Sequence, residues 1–292
     1  MKQLLFVIIV SLVIGPLALF AQTTAPISDK DLGAELDAFI LQAMKTFPEL
    51  PSVAMVVVKE GKPIFMRAYG LANKEAGKKA DENTLYYIAS STKSYMALTA
   101  ALLDREGKIK LNDPVTKYLP GIKTAIPEKV TVKDLLIHTS ALRNPALVWR
   151  TAYTGEVDDK DLLRVLAEGT TFDEANYGKY AYTNLGYNIY GILVRQTLGK
   201  KWQDVLQDKV FRPLGLKQTS AYASKPRAAK LTLADSYLFS PEAKAITRSP
   251  IDKLDNNMQA AGGIYTSLTD MARWLSFNMN DGKLDGKQVI PA

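Results

Sequence analysis

The stretch Ile88-Ala89-Ser90-Ser91-Thr92-Lys93 decides how the chain is read, because it sets a hydroxyl three residues ahead of an amine. Downstream, Met96, Ala97, Ala100, Ala101 and Leu103 recur at helix-like spacing and Gly107 supplies a stop, so the pattern predicts a buried helix that opens near Ser90. At positions i and i+3 of that helix the Ser90 and Lys93 side chains share a face, with Cβ atoms about 5–6 Å apart. The amine then reaches the hydroxyl, and the unpaired N–H groups of the first turn favour an oxygen that gains negative charge. Taken alone, the same residues also read as an ordinary helix cap followed by a solvated lysine.

A second stretch, YAYTNLGY at residues 180–187, supplies Tyr182, Thr183 and Asn184 ahead of another apolar helical pattern. A phenol beside an ammonium has its pKa lowered, since the cation favours the phenolate. Tyr182 could then take the Ser90 proton and return it to a leaving group. Asn184 offers both a donor and an acceptor, suited to orienting Lys93 and a substrate amide. The plainer alternative is a helix entry, with Asn184 near the cap.

In this order the two motifs resemble the serine β-lactamase and penicillin-binding protein superfamily, in the Y-x-N version of class C β-lactamases, related D-alanyl-D-alanine peptidases and class C-like esterases. The likeness runs through nearly all of residues 22–292, including GKIKLNDPVTKYLP (107–120), LLIHTSAL (135–142) and AAGGIYTSLTDMARWL (260–275). It implies an α/β fold of the α+β type, with an antiparallel sheet flanked by helices beside an all-helical lobe at about residues 126–225. It also implies acyl-enzyme formation at Ser90, proton transfer by Lys93 and Tyr182, positioning by Asn184, and no cofactor. The substrate would be a β-lactam, a D-alanyl or peptidoglycan peptide, or an ester. A penicillin-binding or sensing module without turnover, or an inactive fragment, remains an alternative.

Two departures stand out. Ala141 occupies the turn position where relatives carry Gly. The superfamily's third motif, K-T-G or H-x-G on a strand lining the site, is not found before Ala292. The resemblance therefore implies a C-terminally truncated chain, lacking later strands and the second oxyanion donor.

The remaining sequence bounds the competing chemistry. Of 292 residues, 47% are hydrophobic and 23% charged, as expected of a chain with a packed core rather than a disordered one. The net charge of +7 is scattered, which favours solvated surface over nucleic-acid binding. With one His and no Cys, a zinc site and a disulfide are both unexpected. A Ser-His-Asp triad would have to use His138, no G-x-S-x-G elbow accompanies it, and the resemblance places His138 in a structural turn. No glycine-rich phosphate loop is present, which argues against a nucleotide cofactor.

Lys2, the apolar run from Leu4 to Phe20 and the small Ala21 have the order of a signal peptide at residues 1–21. Export to the periplasm or medium follows, with no integral membrane segment after cleavage; a retained anchor is the alternative. Apolar spacing predicts a helix from Asp31 to Thr46 and a hairpin across Val53–Val58 and Ile64–Tyr69 with Gly61 in its turn, and the polar, Lys-rich stretch Gly70–Asn83 reads as a surface loop. Further helices are expected at Val132–His138, Lys160–Glu168, Leu185–Thr197, Trp202–Val210 and Leu268–Met279.

Overall fold

The computed structural model describes residues 28–155, 158–242 and 245–290, so the leader expected at residues 1–21 lies outside them. Helix α1 (Asp29–Thr46) begins where the Ser28 hydroxyl accepts the Asp31 N–H, and Asp29 and Asp31 set negative charge at its positive end. Leu32, Leu36, Ile40 and Met44 turn inward at i, i+4 spacing. Phe39, expected on that stripe, is 70% exposed.

Strands β1 (Ser52–Lys59) and β2 (Lys62–Asn73) pair antiparallel and close on Lys59 and Lys62. Glu60 and Gly61 both have positive φ, 51° and 74°, the two-residue hairpin turn whose twist matches the strands. Pro63 lies near the start of β2, opposite Val58 where the register shifts, a place that needs no ladder N–H. Phe65, Arg67 and Tyr69 meet α1: Phe65 is buried near Gly33, Tyr69 Oη donates to Asp37 at 2.6 Å, and Arg67 pairs with the same carboxylate at 3.6 Å.

The expected loop over Gly70–Asn83 is a loop only in part. β2 continues to Asn73 and turns back into a third antiparallel strand, β3 (Lys78–Lys79). Two exposed lysines on an edge strand carry no apolar alternation, which is why the pattern hid it.

Strand β4 (Tyr86–Tyr87) leads into α2 (Thr92–Arg105), which buries Tyr95, Met96, Thr99, Ala100 and Leu103 and stops before Gly107 at φ 70°. Ala97 and Ala101 face out, so the buried stripe lies one step round the helix from the expected one. There follow α3 (Val115–Tyr118), α4 (Val132–Leu136), the strand β5 (Leu142–Arg143), α5 (Pro145–Trp149), α6 (Asp159–Gly169), β6 (Thr171–Phe172) and α7 (Leu185–Leu198). The helical region thus also carries the short β5–β6 pair.

Every residue of α7 from Leu185 to Val194 is buried, the signature of a central core helix. A Cβ on Gly186 would stand 2.0 Å from the Leu135 carbonyl oxygen; this glycine lets α7 press on α4. Beyond it lie α8 (Trp202–Leu206), α9 (Arg212–Leu214), α10 (Ser224–Ala228), the hairpin of β7 (Tyr237–Ser240) and β8 (Ala245–Arg248), and β9 (Tyr265–Thr266).

Helix α11 (Leu268–Met279) packs on β1 and β2, and the hairpin of β10 (Lys283–Leu284) and β11 (Lys287–Gln288) follows it. Sheet and helices are joined through Tyr95, whose ring stacks on Trp274 of α11 at 3.9 Å and meets Phe211 edge-on at 6.1 Å. β9 pairs with β4 in the register Tyr86 to Thr266 and Tyr87 to Tyr265, which brings residues 261–264 beside the entrance to α2.

Candidate active site

Between β4 and α2 the chain makes a tight turn over Ala89–Ser91, closed by the Ser91 N–H on the Ile88 carbonyl at 3.1 Å. Ala89 takes φ 45°, a costly conformation for a residue with a Cβ and one characteristic of functional turns. The turn leaves Ser90 exposed while Lys93, one helical turn on, is only 8% exposed.

The Lys93 ammonium has three acceptors for its three N–H bonds: Ser90 Oγ at 3.2 Å, Asn184 Oδ1 at 2.8 Å and the Ala261 carbonyl at 2.7 Å. The reading of Lys93 as a solvated surface residue therefore fails. Asn184 holds the N-cap position of α7 but makes no capping bond; the Leu185 N–H goes to Thr183 Oγ1 at 3.1 Å, and the Asn184 oxygen is free to hold Lys93. Ala261 was not legible in advance, since what it contributes is a carbonyl that any residue carries. The only hint in the sequence is the run Ala260-Ala261-Gly262-Gly263, whose small side chains let a backbone approach closely.

Tyr182 Oη lies 2.7 Å from Ser90 Oγ, and Lys93 Nζ stands 4.9 Å from the centre of its ring. Partial burial pushes the phenol pKa up, but interactions with Lys93 and Ser90 and the Lys93 charge outweigh it, so the group ends below the ordinary tyrosine value. The Tyr182 side chain is 54% exposed, which leaves the far side of the cluster open to a substrate. The four residues singled out in the sequence, Ser90, Lys93, Tyr182 and Asn184, thus meet in one hydrogen-bonded cluster.

His138 stands behind Tyr182, their ring centres 4.7 Å apart. Its Nδ1 accepts the Thr183 N–H at 3.3 Å and its carbonyl accepts the Ala181 N–H at 2.9 Å, so it clasps the backbone on both sides of Tyr182. None of its hydrogen bonds among the described residues reaches Ser90. Burial, then the Lys93 charge, holds the imidazole below its ordinary pKa, with the Thr183 bond opposing. His138 itself has φ 65°, and Ala141 has φ 53°, the left-handed geometry that the missing glycine would have eased.

Comparison with known proteins bears on what this cluster is for. A family model described as beta-lactamase matches residues 40–291. A teichoic acid D-alanine hydrolase of Staphylococcus aureus is 29% identical over 225 residues, covering 76% of this chain and 53% of that protein. Protein flp of the same species is 26% identical over 243 residues, covering 79% and 46%. The chain spans about half the length of the curated relatives it matches. Among solved structures, FmtA from Staphylococcus aureus superposes with a TM-score of 0.70 at 24% identity, over 85% of this chain and 64% of that one. A class C beta-lactamase gives 0.70 at 21% identity, over 91% and 69%. At such identities these structures establish the fold.

Proposed function

Because the chain belongs to the beta-lactamase family, we propose that it is an exported serine hydrolase that forms an acyl-enzyme at Ser90 on an ester or amide of a small or peptidoglycan-linked substrate. The observation that carries this reading is the convergence on Ser90 Oγ of Tyr182 Oη at 2.7 Å and Lys93 Nζ at 3.2 Å. Lys93 and Tyr182 handle the proton together, and the interactions with Lys93 and Ser90 that hold the Tyr182 phenol below its ordinary pKa favour its oxygen as the acceptor.

Ser90 Oγ attacks the substrate carbonyl as its proton passes to the Tyr182 oxygen. The C–O or C–N bond to the leaving group breaks, and the leaving atom takes that proton. Water then attacks the ester carbonyl, gives a proton to Tyr182, and Ser90 recovers it on release of the acid. Asn184 and the Ala261 carbonyl keep Lys93 in register throughout.

An ester is the favoured substrate. Its support is the relative named as a teichoic acid D-alanine hydrolase, at 29% identity. Export rests on the order of Lys2, the apolar run and Ala21. The test is labelling by a fluorophosphonate or fluorescent penicillin. Ser90→Ala should abolish it and Ser91→Ala should not, since only Ser90 reaches Lys93 and Tyr182; equal labelling of Ser90→Ala removes the assignment.

A further inference from the structure

Lys93 is not the only lysine drawn out of solvent in this region. Lys253, in the segment after β8, is half-buried, and its Nζ lies 5.4 Å from the centre of the Tyr87 ring and 5.5 Å from that of Tyr153. Its one hydrogen bond among the described residues goes to the Ala152 carbonyl at 2.7 Å. An ammonium has three N–H donors, so two remain for another acceptor. No carboxylate among the described residues forms an ion pair with it. The acids nearest in sequence are committed elsewhere: Asp252 pairs with Arg248 at 2.9 Å, and Asp255 accepts from the Ala223 and Ser224 N–H groups and the Ser224 hydroxyl. Burial lowers the Lys253 pKa, as expected of a cation that has lost water.

The position of this cation gives it a use. Tyr87, on which it rests, belongs to β4, three residues before Ser90. A Cβ placed on Gly262 would lie 3.6 Å from Tyr87 Oη and 3.5 Å from the Ala89 carbonyl carbon, and Gly262 follows the residue whose carbonyl holds Lys93. Lys253 thus rests on a ring whose hydroxyl lies close to Gly262, and Gly262 in turn borders the Ala89 end of the turn that carries Ser90. The Tyr153 ring that Lys253 also faces is 47% exposed and contacts the more exposed Trp149, ring centres 4.7 Å apart, so this part of the site borders solvent.

We propose that Lys253, framed by Tyr87 and Tyr153, is an anion-binding subsite beside Ser90 that selects substrates carrying a phosphate or carboxylate. The inference rests on the serine hydrolase reading for its substrate but not for its binding site. A half-buried cation with no carboxylate paired to it among the described residues is costly, and an incoming anion removes that cost while receiving charge-assisted hydrogen bonds. A purely structural lysine, tying its segment to Ala152, would make no distinction between charged and neutral substrates.

The experiment compares the parent with Lys253→Met and Lys253→Arg on matched phenyl esters, charged on either the acyl or the alcohol side. Members of each series differ only in bearing a neutral hydroxyl, a carboxylate or a phosphate. The ratio of kcat/KM for charged over neutral ester should fall about ten- to hundredfold in Lys253→Met, recover in Lys253→Arg, and shrink in the parent as salt is raised. The anion with the larger ratio identifies the source.

In parallel, phenyl phosphate and benzoate are titrated by calorimetry into Ser90→Ala with and without Lys253→Met, which reads the subsite without catalysis. Binding lost with Lys253 upholds the subsite even if no ester is turned over, and in that case only the hydrolase reading fails. An unchanged ratio with unchanged titrations, or an equal loss on every ester together with a lower melting temperature, overturns the proposal.

Discussion

Two side chains, Lys93 and Tyr182, touch the Ser90 hydroxyl and a third, His138, stands against Tyr182, and their chemistry differs in ways that rate measurements separate. Tyr182 is held below the ordinary tyrosine value, so its reactive phenolate form grows in as pH rises through that lowered pKa. Acylation should therefore climb with pH and level off below the range where a free phenol ionises, about pH 10. In Tyr182→Phe that rising limb should vanish and the rate fall about 100- to 10,000-fold, the usual worth of a general base. His138→Ala should instead stay within a few-fold of the parent, because the imidazole contacts Tyr182 and its flanking backbone and not Ser90. Stopped-flow acylation of the variants decides the matter: a loss of several orders of magnitude in folded His138→Ala would move the base from Tyr182 to His138.

At the scale of elements, two turns and a helix crossing hold the site, and small substitutions there should act in opposite directions. Ala141 sits at φ 53°, where a Cβ costs about 1–2 kcal/mol, part of which a glycine gives back through its freer unfolded chain. Ala141→Gly should raise stability by up to about 1 kcal/mol. Gly186→Ala drives a methyl into the Leu135 carbonyl, and overpacking of that kind should cost about 1–3 kcal/mol and loosen the entry to α7, just after Tyr182 and Asn184. Thermal or urea melts of both variants check the signs.

The same elements show what a sequence reveals. The hairpin turn was legible because Gly61 signals positive φ, and α7 because an apolar helical pattern follows Gly186. Strand β3 was not, since an exposed edge pair of lysines has the composition of a loop. Nor was the outward Phe39, whose position depends on which stripe of α1 meets the sheet. In the site, Ser90, Lys93, Tyr182 and Asn184 were legible only as two motifs whose order together resembles a known superfamily, since each motif alone has a plainer reading as a helix cap. The Ala261 carbonyl and the cationic Lys253 were not, because one is backbone and the other acquires its meaning from rings distant in sequence.

For the molecule as a whole, the cluster exists only when distant segments of chain are brought together. The turn before α2 brings Ser90 and Lys93, the entry to α7 brings Tyr182 and Asn184, and the β4–β9 pairing brings Ala261. The ion pairs spread over the surface are largely exposed and add little to this, whereas the Tyr95, Trp274 and Phe211 contact ties the sheet to the helices that carry the cluster. The central claim, that this assembled site forms a covalent ester at Ser90, is tested most directly by trapping it. The protein is quenched in acid seconds after mixing with a slow ester or penicillin, and its intact mass and digested peptides are read by mass spectrometry. The account predicts one added acyl group, located by fragmentation on Ser90 and not on Ser91, and absent from Ser90→Ala. An adduct on another residue, or one that forms as readily in Ser90→Ala, would contradict it.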